Sequence, residues 1–272
     1  MKKNFPRNIF QVWYQGCENL KDPRFIENAK NWKNLNTNWN YYCVSDSDLK
    51  NACYKFSTKC GETYDSMDVM HMKIDFGRYV LLYLYGGIYI DMDAYVLRSL
   101  NYSKHIQKCI DLYEVQNKNV IALSRLDFLY TYEKLLNGKF NNAFMFATPE
   151  NPVLKKFIEN IVNNYKKDVR ITNALSVTYI TGPIAFNTFF ENKNNLQGSD
   201  IIQLSHTIFE PYNLNGKLDL TDETISIHKF ELSWIPQKNL VNMYICLRDY
   251  LYIILLIIIV LWLYRNKYII LK

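Results

Sequence analysis

The stretch GGIYIDMDAYVL, residues 86–97, decides the fold of this chain. Apolar and aromatic residues follow a Gly-Gly break, a pattern that predicts a buried strand over residues 88–91. Because side chains alternate along a strand, Asp91 and Asp93 are expected on the same face. Two ionised carboxylates there repel each other and lose solvation, so we expect a positive charge to meet them.

A divalent cation is one such charge, since Mg²⁺ and Mn²⁺ prefer carboxylate oxygens. In α/β sheets, ligands bind beyond the carboxyl ends of the strands, which is where this pair falls. A cation at that point can hold a diphosphate and stabilise it as a leaving group. A D-x-D tripeptide alone is equally typical of solvated carboxylates after a strand, so its surroundings decide the interpretation.

The preceding segment supplies those surroundings. Apolar residues recur at helical spacing over residues 67–85, and Gly86-Gly87 ends the predicted helix in the way a left-handed cap requires. Asp75 and Arg78 lie three residues apart on one face of it. They form either a local salt bridge or a functional pair, a carboxylate for sugar hydroxyls and a guanidinium for sugar or phosphate oxygens.

The rest of the chain alternates between strand and helix patterns, which predicts an α/β fold with a mostly parallel sheet. Strands are predicted at residues 8–14, 40–46, 119–125, 143–148, 201–209 and 224–230. Helices are predicted at residues 22–34, 48–56 and 152–165, and a short one from residue 181.

Composition limits the class of partner and the compartment. The net charge of +6 over 272 residues is spread along the chain without a basic stripe, so we expect no nucleic acid partner. The six cysteines form no C-x-x-C pair and favour a reducing compartment, although Cys53 and Cys60 could pair in an oxidising one.

An uninterrupted apolar run, residues 250–264, lies near the C-terminus between basic residues. A membrane span usually needs about 20 residues, with a lower limit near 17, so the run is slightly short. Its aromatic ends favour a membrane anchor over a buried helix. With no signal-peptide pattern at the N-terminus, we expect a catalytic domain at residues 1–240 on the cytosolic side, and an anchor at residues 241–272.

The segment KIDFGRYVLLYLYGGIYIDMDAYVL, residues 73–97, resembles the central block of the DXD-containing sugar transferases of glycosyltransferase family 32. That family includes fungal α-1,6-mannosyltransferases, α-1,4-galactosyltransferases and bacterial capsule-synthesis enzymes, with the large clostridial glucosylating toxins as more distant relatives. Its pattern, S-D-x-x-R-Y and then Y-G-G-x-Y-x-D-x-D, is matched except at Ile74, where the family often has Ser.

Further blocks follow in the family's order, at residues 6–16, 141–157, 181–183 and 227–234. Phe10 and Asn151 stand where the family usually has His, and Lys229 replaces the second His of the closing block. The closing block keeps His228, Ser233 and Trp234.

The resemblance implies a GT-A (Rossmann-like) nucleotide-sugar-binding fold and retaining transfer of a hexose from a UDP- or GDP-sugar to a glycan, protein or lipid, with Mn²⁺ or Mg²⁺. Trp13 would stack on the donor base, and Asp75 and Arg78 would contact the donor sugar. Asp91 would reach the cation through water, and Asp93 and His228 would bind it directly. Ser233 and Trp234 would close over the diphosphate, the indole N–H donating to the β-phosphate or glycosidic oxygen.

Two other classes compete. A Mg²⁺-dependent phosphohydrolase also places D-x-D after an apolar strand, with the first Asp as nucleophile, but its motif usually continues with Thr or Val where this chain has Tyr95. A non-catalytic, membrane-tethered binding protein would bind a nucleotide sugar without turnover. The departures at Phe10 and Asn151 keep that interpretation open.

Overall fold

The computed structural model describes residues 3–125, 140–166, 174–212 and 217–231, together with Ile254 and Ile257. The chain divides into two compact units, Met1–Phe230 and Glu231–Lys272. The first unit holds the elements described next. Its mixed α/β architecture confirms the predicted fold class.

The strands of this unit are short. They are β1 (Asn8–Val12), β2 (Asn40–Val44), β3 (Gly87–Ile90), β4 (Ala94–Val96), β5 (Val120–Arg125), β6 (Phe140–Ala147), β7 (Asp200–Leu204) and β8 (Ser226–His228). The helices are α1 (Pro23–Leu35), α2 (Asp46–Phe56), α3 (Thr58–Ser66), α4 (Met70–Tyr85), α5 (Lys104–Glu114), α6 (Pro152–Asn164), α7 (Ala174–Ile180), α8 (Pro183–Glu191) and α9 (His206–Phe209).

The described strands form a six-stranded sheet in the order β2-β1-β3-β6-β5-β7 and a two-stranded ribbon of β4 and β8. In the sheet, β1 runs parallel to β2 and β3, and β5 runs parallel to β7. Strand β6 lies antiparallel to both β3 and β5. The sheet is therefore mostly parallel, as predicted, and β6 is the strand that departs from the pattern.

Helices cover both faces of the sheet, and each face has its own apolar core. One core joins the sheet to α2, α3, α4, α6 and α8. The other joins it to α1, α5 and α9. Such a sheet, buried on both sides, explains why its strands read as nearly continuous apolar runs.

The turn from α4 into β3 depends on its two glycines. Gly86 has φ of +59° and its amide donates to the Leu82 carbonyl, which ends the helix. Gly87 has φ of +122°, and a Cβ there would lie 2.5 Å from the Asn8 carbonyl oxygen. Only glycine lets β3 approach β1 this closely, so the Gly-Gly pair fixes where β3 enters the sheet.

Several predicted boundaries were wrong. The helix predicted from residue 67 begins at Met70, because Met67 is extended and closes α3. The strand predicted over residues 8–14 ends at Val12. The strand predicted over residues 201–209 ends at Leu204, because the Ser205 side chain accepts from the Thr207 amide and starts α9.

The cysteine pairing also differs from expectation. Cys17 and Cys43 form a disulfide that ties the turn after β1 to β2, with their Cα atoms 6.0 Å apart. Cys53 and Cys60, the predicted alternative pair, are buried free thiols.

The apolar run at residues 250–264 lies outside the described residues except for Ile254 and Ile257, which are helical and half exposed. Within the described part of the chain, no helix combines the length and apolar character needed to cross a bilayer. The predicted C-terminal anchor therefore stays a prediction.

Candidate functional site

Asp91 and Asp93 lie in the turn that joins β3 to β4, just beyond the carboxyl end of β3. The strand begins and ends one residue earlier than predicted, because the turn begins at Asp91. Since β1 runs parallel to β3, its carboxyl end opens at the same edge of the sheet. The two carboxylates therefore occupy the position at which α/β proteins bind ligands.

Hydrogen bonds from distant elements hold this turn through its backbone. All four carbonyls of residues 91–94 accept such bonds. The Asp91 carbonyl accepts from Gln11 Nε2 at 3.0 Å, and the Met92 carbonyl accepts from Asn28 Nδ2 at 3.0 Å. The Asp93 carbonyl accepts from the Lys229 amide at 3.0 Å. The Ala94 carbonyl accepts from Asn28 Nδ2 at 2.9 Å and from Trp32 Nε1 at 2.8 Å. The turn is thereby fixed without using either carboxylate.

Asp91, Asp93 and His228 together form a candidate metal site. Each offers one ligand atom, and these atoms lie within 4.8 Å of one another. His228 Nε2 is 3.2 Å from Asp93 Oδ1 and 3.9 Å from Asp91 Oδ2. Two carboxylates and an imidazole nitrogen suit Mn²⁺. The structure thus brings the three predicted ligands together, and the donor set fits the cation.

The protonation of His228 responds to the same neighbours. Burial lowers the pKa of His228, but hydrogen bonds and charge from Asp93 and Glu210 outweigh burial and raise it well above its ordinary value. The Nδ1 atom faces Glu210 Oε1 at 2.7 Å, which leaves Nε2 on the side of the aspartates. A cation bound between the aspartates would take the place of the proton on Nε2.

Arg78 is the positive charge that meets Asp91 within the chain. Its Nη1 lies 3.2 Å from Asp91 Oδ1 and donates to the Asn142 carbonyl at 2.8 Å. Its Nη2 lies 3.0 Å from Asp75 Oδ1. The guanidinium also lies 4.3 Å from the centre of the Tyr89 ring, whose hydroxyl donates to Asp91 Oδ1 at 2.7 Å. The predicted local salt bridge exists, and it extends to the D-x-D turn.

Asp75 lies buried beside Arg78, only 8% exposed. Burial raises the pKa of Asp75 to about 6, against the opposing effect of Arg78. Asn142 Nδ2 donates to Asp75 Oδ1 and to the Tyr79 hydroxyl, both at 2.9 Å, and that hydroxyl donates to the Thr181 carbonyl at 2.7 Å. This network holds the carboxylate in place beside residues 181–183, one of the blocks that resemble the family.

Trp13 follows β1 directly and lies half-buried, with its ring centre 5.7 Å from that of Phe25. Its Nε1, Arg78 Nε and Thr181 Oγ1 are buried without a hydrogen-bond partner among the described residues. Buried polar atoms are usually paired, so each of these three atoms is available for a hydrogen bond with a ligand or a water molecule. Two of the three atoms, on Trp13 and Arg78, belong to residues predicted to contact the donor.

Ser233 and Trp234, predicted to close over the diphosphate, lie outside the described residues. Sequence reasoning missed the buried partners Gln11, Asn28, Asn141 and Glu210. Asn28 carried a signal, since it lies on the apolar face of α1 between Phe25 and Trp32. A polar residue in such a place is buried only when it is hydrogen-bonded.

The two departures from the family pattern have structural roles here. Phe10 is buried in the sheet and stacks on Tyr42, with ring centres 5.3 Å apart. Asn151 is fully buried, and its Oδ1 accepts from the Val153 amide at the start of α6. No described contact joins Phe10 or Asn151 to the three residues of the candidate metal site. The departures from the family pattern at these two positions therefore leave that site unchanged.

Comparison with known proteins agrees with the interpretation of the Asp-x-Asp turn. Residues 22–111 match the family model described as "Glycosyltransferase sugar-binding region containing DXD motif". The resemblance read from residues 73–97 is confirmed: the chain carries this DXD region and is a glycosyltransferase by class.

The chain is also similar to named proteins. It is 28% identical over 250 residues to an uncharacterized glycosyltransferase of Acanthamoeba polyphaga mimivirus, covering 88% of this chain and 87% of that protein. It is 25% identical over 214 residues to an initiation-specific alpha-1,6-mannosyltransferase of Candida albicans, covering 71% of this chain but only 54% of that protein. Among solved structures, the catalytic domain of alpha-toxin from Clostridium novyi aligns with a TM-score of 0.46 at 11% identity, covering 89% of this chain and 82% of that one.

Proposed function

We propose that this protein is a metal-dependent, retaining glycosyltransferase with a GT-A fold, which moves a hexose from a nucleotide-diphosphate sugar to an acceptor. The observation that carries the proposal is the meeting of Asp91, Asp93 and His228 beside the buried pair of Asp75 and Arg78. A phosphohydrolase is less favoured, because its motif usually continues with Thr or Val where this chain has Tyr95.

Asp93, His228 and Asp91 would hold Mn²⁺ or Mg²⁺, with Asp91 acting through water. When bound, the cation would neutralise charge on the departing nucleoside diphosphate. Arg78 is fixed between two carboxylates, so its remaining Nε–H is preorganised to donate to a sugar or phosphate oxygen.

Asp75 would accept hydrogen bonds from the donor sugar, since its position is set by Asn142 and Arg78. Trp13 would stack on the base, as an aromatic face can. Ser233 and Trp234 would close over the diphosphate, a role taken from the family resemblance. Loss of water around the diphosphate would strengthen each of these interactions.

The donor is proposed to be a UDP- or GDP-hexose, and the acceptor a glycan, a protein or a lipid. We further propose that residues 250–264 associate with a membrane and that residues 1–240 form the catalytic domain. The cytosolic side expected from the sequence stays a prediction. The Cys17–Cys43 disulfide is a reason against it, since such bonds persist in oxidising compartments.

The test uses the full chain, purified in a mild detergent and incubated with a panel of UDP- and GDP-sugars and Mn²⁺. We expect release of one nucleoside diphosphate, lost with Asp93→Ala and with EDTA. Donor binding by calorimetry without any release would favour the non-catalytic binding protein. Folded protein that neither binds nor cleaves any donor would overturn the proposal.

A further inference from the structure

Behind the candidate metal site runs a chain of buried polar contacts that starts on β6. Asn141 Nδ2 donates to Glu210 Oε1 at 2.6 Å, and the same oxygen faces His228 Nδ1 at 2.7 Å. Glu210 is 1% exposed, and its Oε2 has no hydrogen-bond partner among the described residues. All the described bonds of this carboxylate therefore pass through one oxygen.

The burial of this carboxylate needs an explanation. A buried charge costs several kcal/mol unless it is paired and hydrogen-bonded, so a Glu at a 1% exposed position depends on its contacts for stability. Its charged contact is His228, whose other nitrogen faces Asp93. A carboxylate on the far nitrogen of an imidazole fixes both its tautomer and its ring orientation.

We propose that Glu210 is a positioning residue, which accepts Nδ1–H of His228 and so presents Nε2 as a metal ligand. Asn141 sets the position of the Glu210 oxygen in turn. The inference rests on the proposed function, because it assumes that a cation binds at Asp91, Asp93 and His228.

The backbone around Glu210 supports this role. Glu210 ends α9, where its amide donates to the His206 carbonyl at 3.0 Å, and its own carbonyl accepts from the Tyr212 amide at 2.7 Å. His228 is held by pairing with Ala94 across the β4–β8 ribbon. Both partners of the Glu210–His228 contact are therefore fixed by backbone structure, so the side-chain contact between them is preorganised.

The experiment measures Mn²⁺ affinity of the full chain by the electron paramagnetic resonance signal of free Mn²⁺, without donor or acceptor. Glu210→Gln keeps the size of the side chain and removes its charge, and Glu210→Asp withdraws the carboxylate by one methylene. We expect affinity to fall about 10–100-fold in Glu210→Gln and less in Glu210→Asp. Glu223→Gln is the matched control, because it makes the same substitution at an exposed His–carboxylate contact, with His105 on α5.

A second measurement separates positioning from a general loss of structure. If Glu210 acts through His228, then Glu210→Gln lowers affinity no further once His228→Ala is present. Wild-type affinity in both folded Glu210 variants, with weakened binding in His228→Ala, would overturn the inference and leave the proposed function standing. A wild-type chain that binds no Mn²⁺ would instead overturn the metal-dependent function itself.

Discussion

Replacement of Asn28 by Ala should loosen the Asp91–Asp93 turn without touching either carboxylate. Asn28 is 2% exposed, and its Nδ2 donates to the carbonyls of Met92 and Ala94 at 3.0 and 2.9 Å. Its Oδ1 accepts from the Val96 amide at 3.2 Å. One side chain of α1 thus braces the turn and the start of β4.

The magnitude follows from the groups left without this partner. The Ala94 carbonyl keeps Trp32 Nε1, but the Met92 carbonyl and the Val96 amide lose Asn28. A buried polar group left unpaired costs about 1–3 kcal/mol, so the free energy of unfolding should fall by about 2–6 kcal/mol. Residues that support metal ligands are typically worth about 10–100-fold in affinity, and Mn²⁺ binding should weaken to that extent.

Asn36, the residue that caps the C-terminal end of the same helix, provides a matched control. It is fully buried, and its Oδ1 accepts from the Leu100 amide at 2.8 Å and from the Ser99 hydroxyl at 3.1 Å. Asn36→Ala should therefore lower stability to a similar degree while leaving the D-x-D turn alone. Urea unfolding gives the free energies, and titration of Mn²⁺ gives the affinities. Equal Mn²⁺ affinity in the folded Asn28→Ala and Asn36→Ala variants would refute the bracing role.

Three further outcomes are expected. Arg78→Lys should lower kcat/KM by about 100-fold or more with the protein still folded, because an ammonium group cannot reproduce a planar fork. The pKa of Asp75, raised to about 6, means that its ionised fraction falls as pH drops through that value. Donor affinity measured by calorimetry should fall with it, and a flat profile from pH 8 to pH 5 would contradict the role of this carboxylate. Reduction of the Cys17–Cys43 disulfide, whose cysteines are 26 residues apart, should lower the free energy of unfolding by about 3 kcal/mol. Thermal unfolding with and without dithiothreitol measures this loss. The Cys17→Ser, Cys43→Ser double variant, which has no disulfide to reduce, is the control.

The parts of the site that follow local rules were predictable from the sequence. Helical spacing predicts that Asp75 and Arg78 lie on one face of α4. The Gly-Gly break predicts the strand that leads to Asp91. Both rules depend only on residues near one another in the chain. The structure agrees with them, and Arg78 lies against both aspartates.

Long-range pairing was not predictable in the same way. The apolar sequence of β6 does not indicate whether this strand runs parallel or antiparallel to β3. The direction depends on the path of the chain between the two strands. Glu210 is not predictable from the sequence, because the strand pattern over residues 201–209 conceals the helix that Ser205 starts. Recognising Ser205 as a helix cap would have placed Glu210 at the end of α9, although not beside His228.

The antiparallel strand β6 gives the site a property that neither motif shows alone. Asn141 and Asn142 are neighbours on β6, so their side chains point to opposite faces of the sheet. Asn141 donates a hydrogen bond to Glu210, behind the candidate metal site. Asn142 donates one to Asp75, which is proposed to bind the donor sugar. One strand therefore sets the position of both sites, and a displacement of β6 would disturb them together. This is a physical reason for two adjacent polar residues in a strand whose every position is buried.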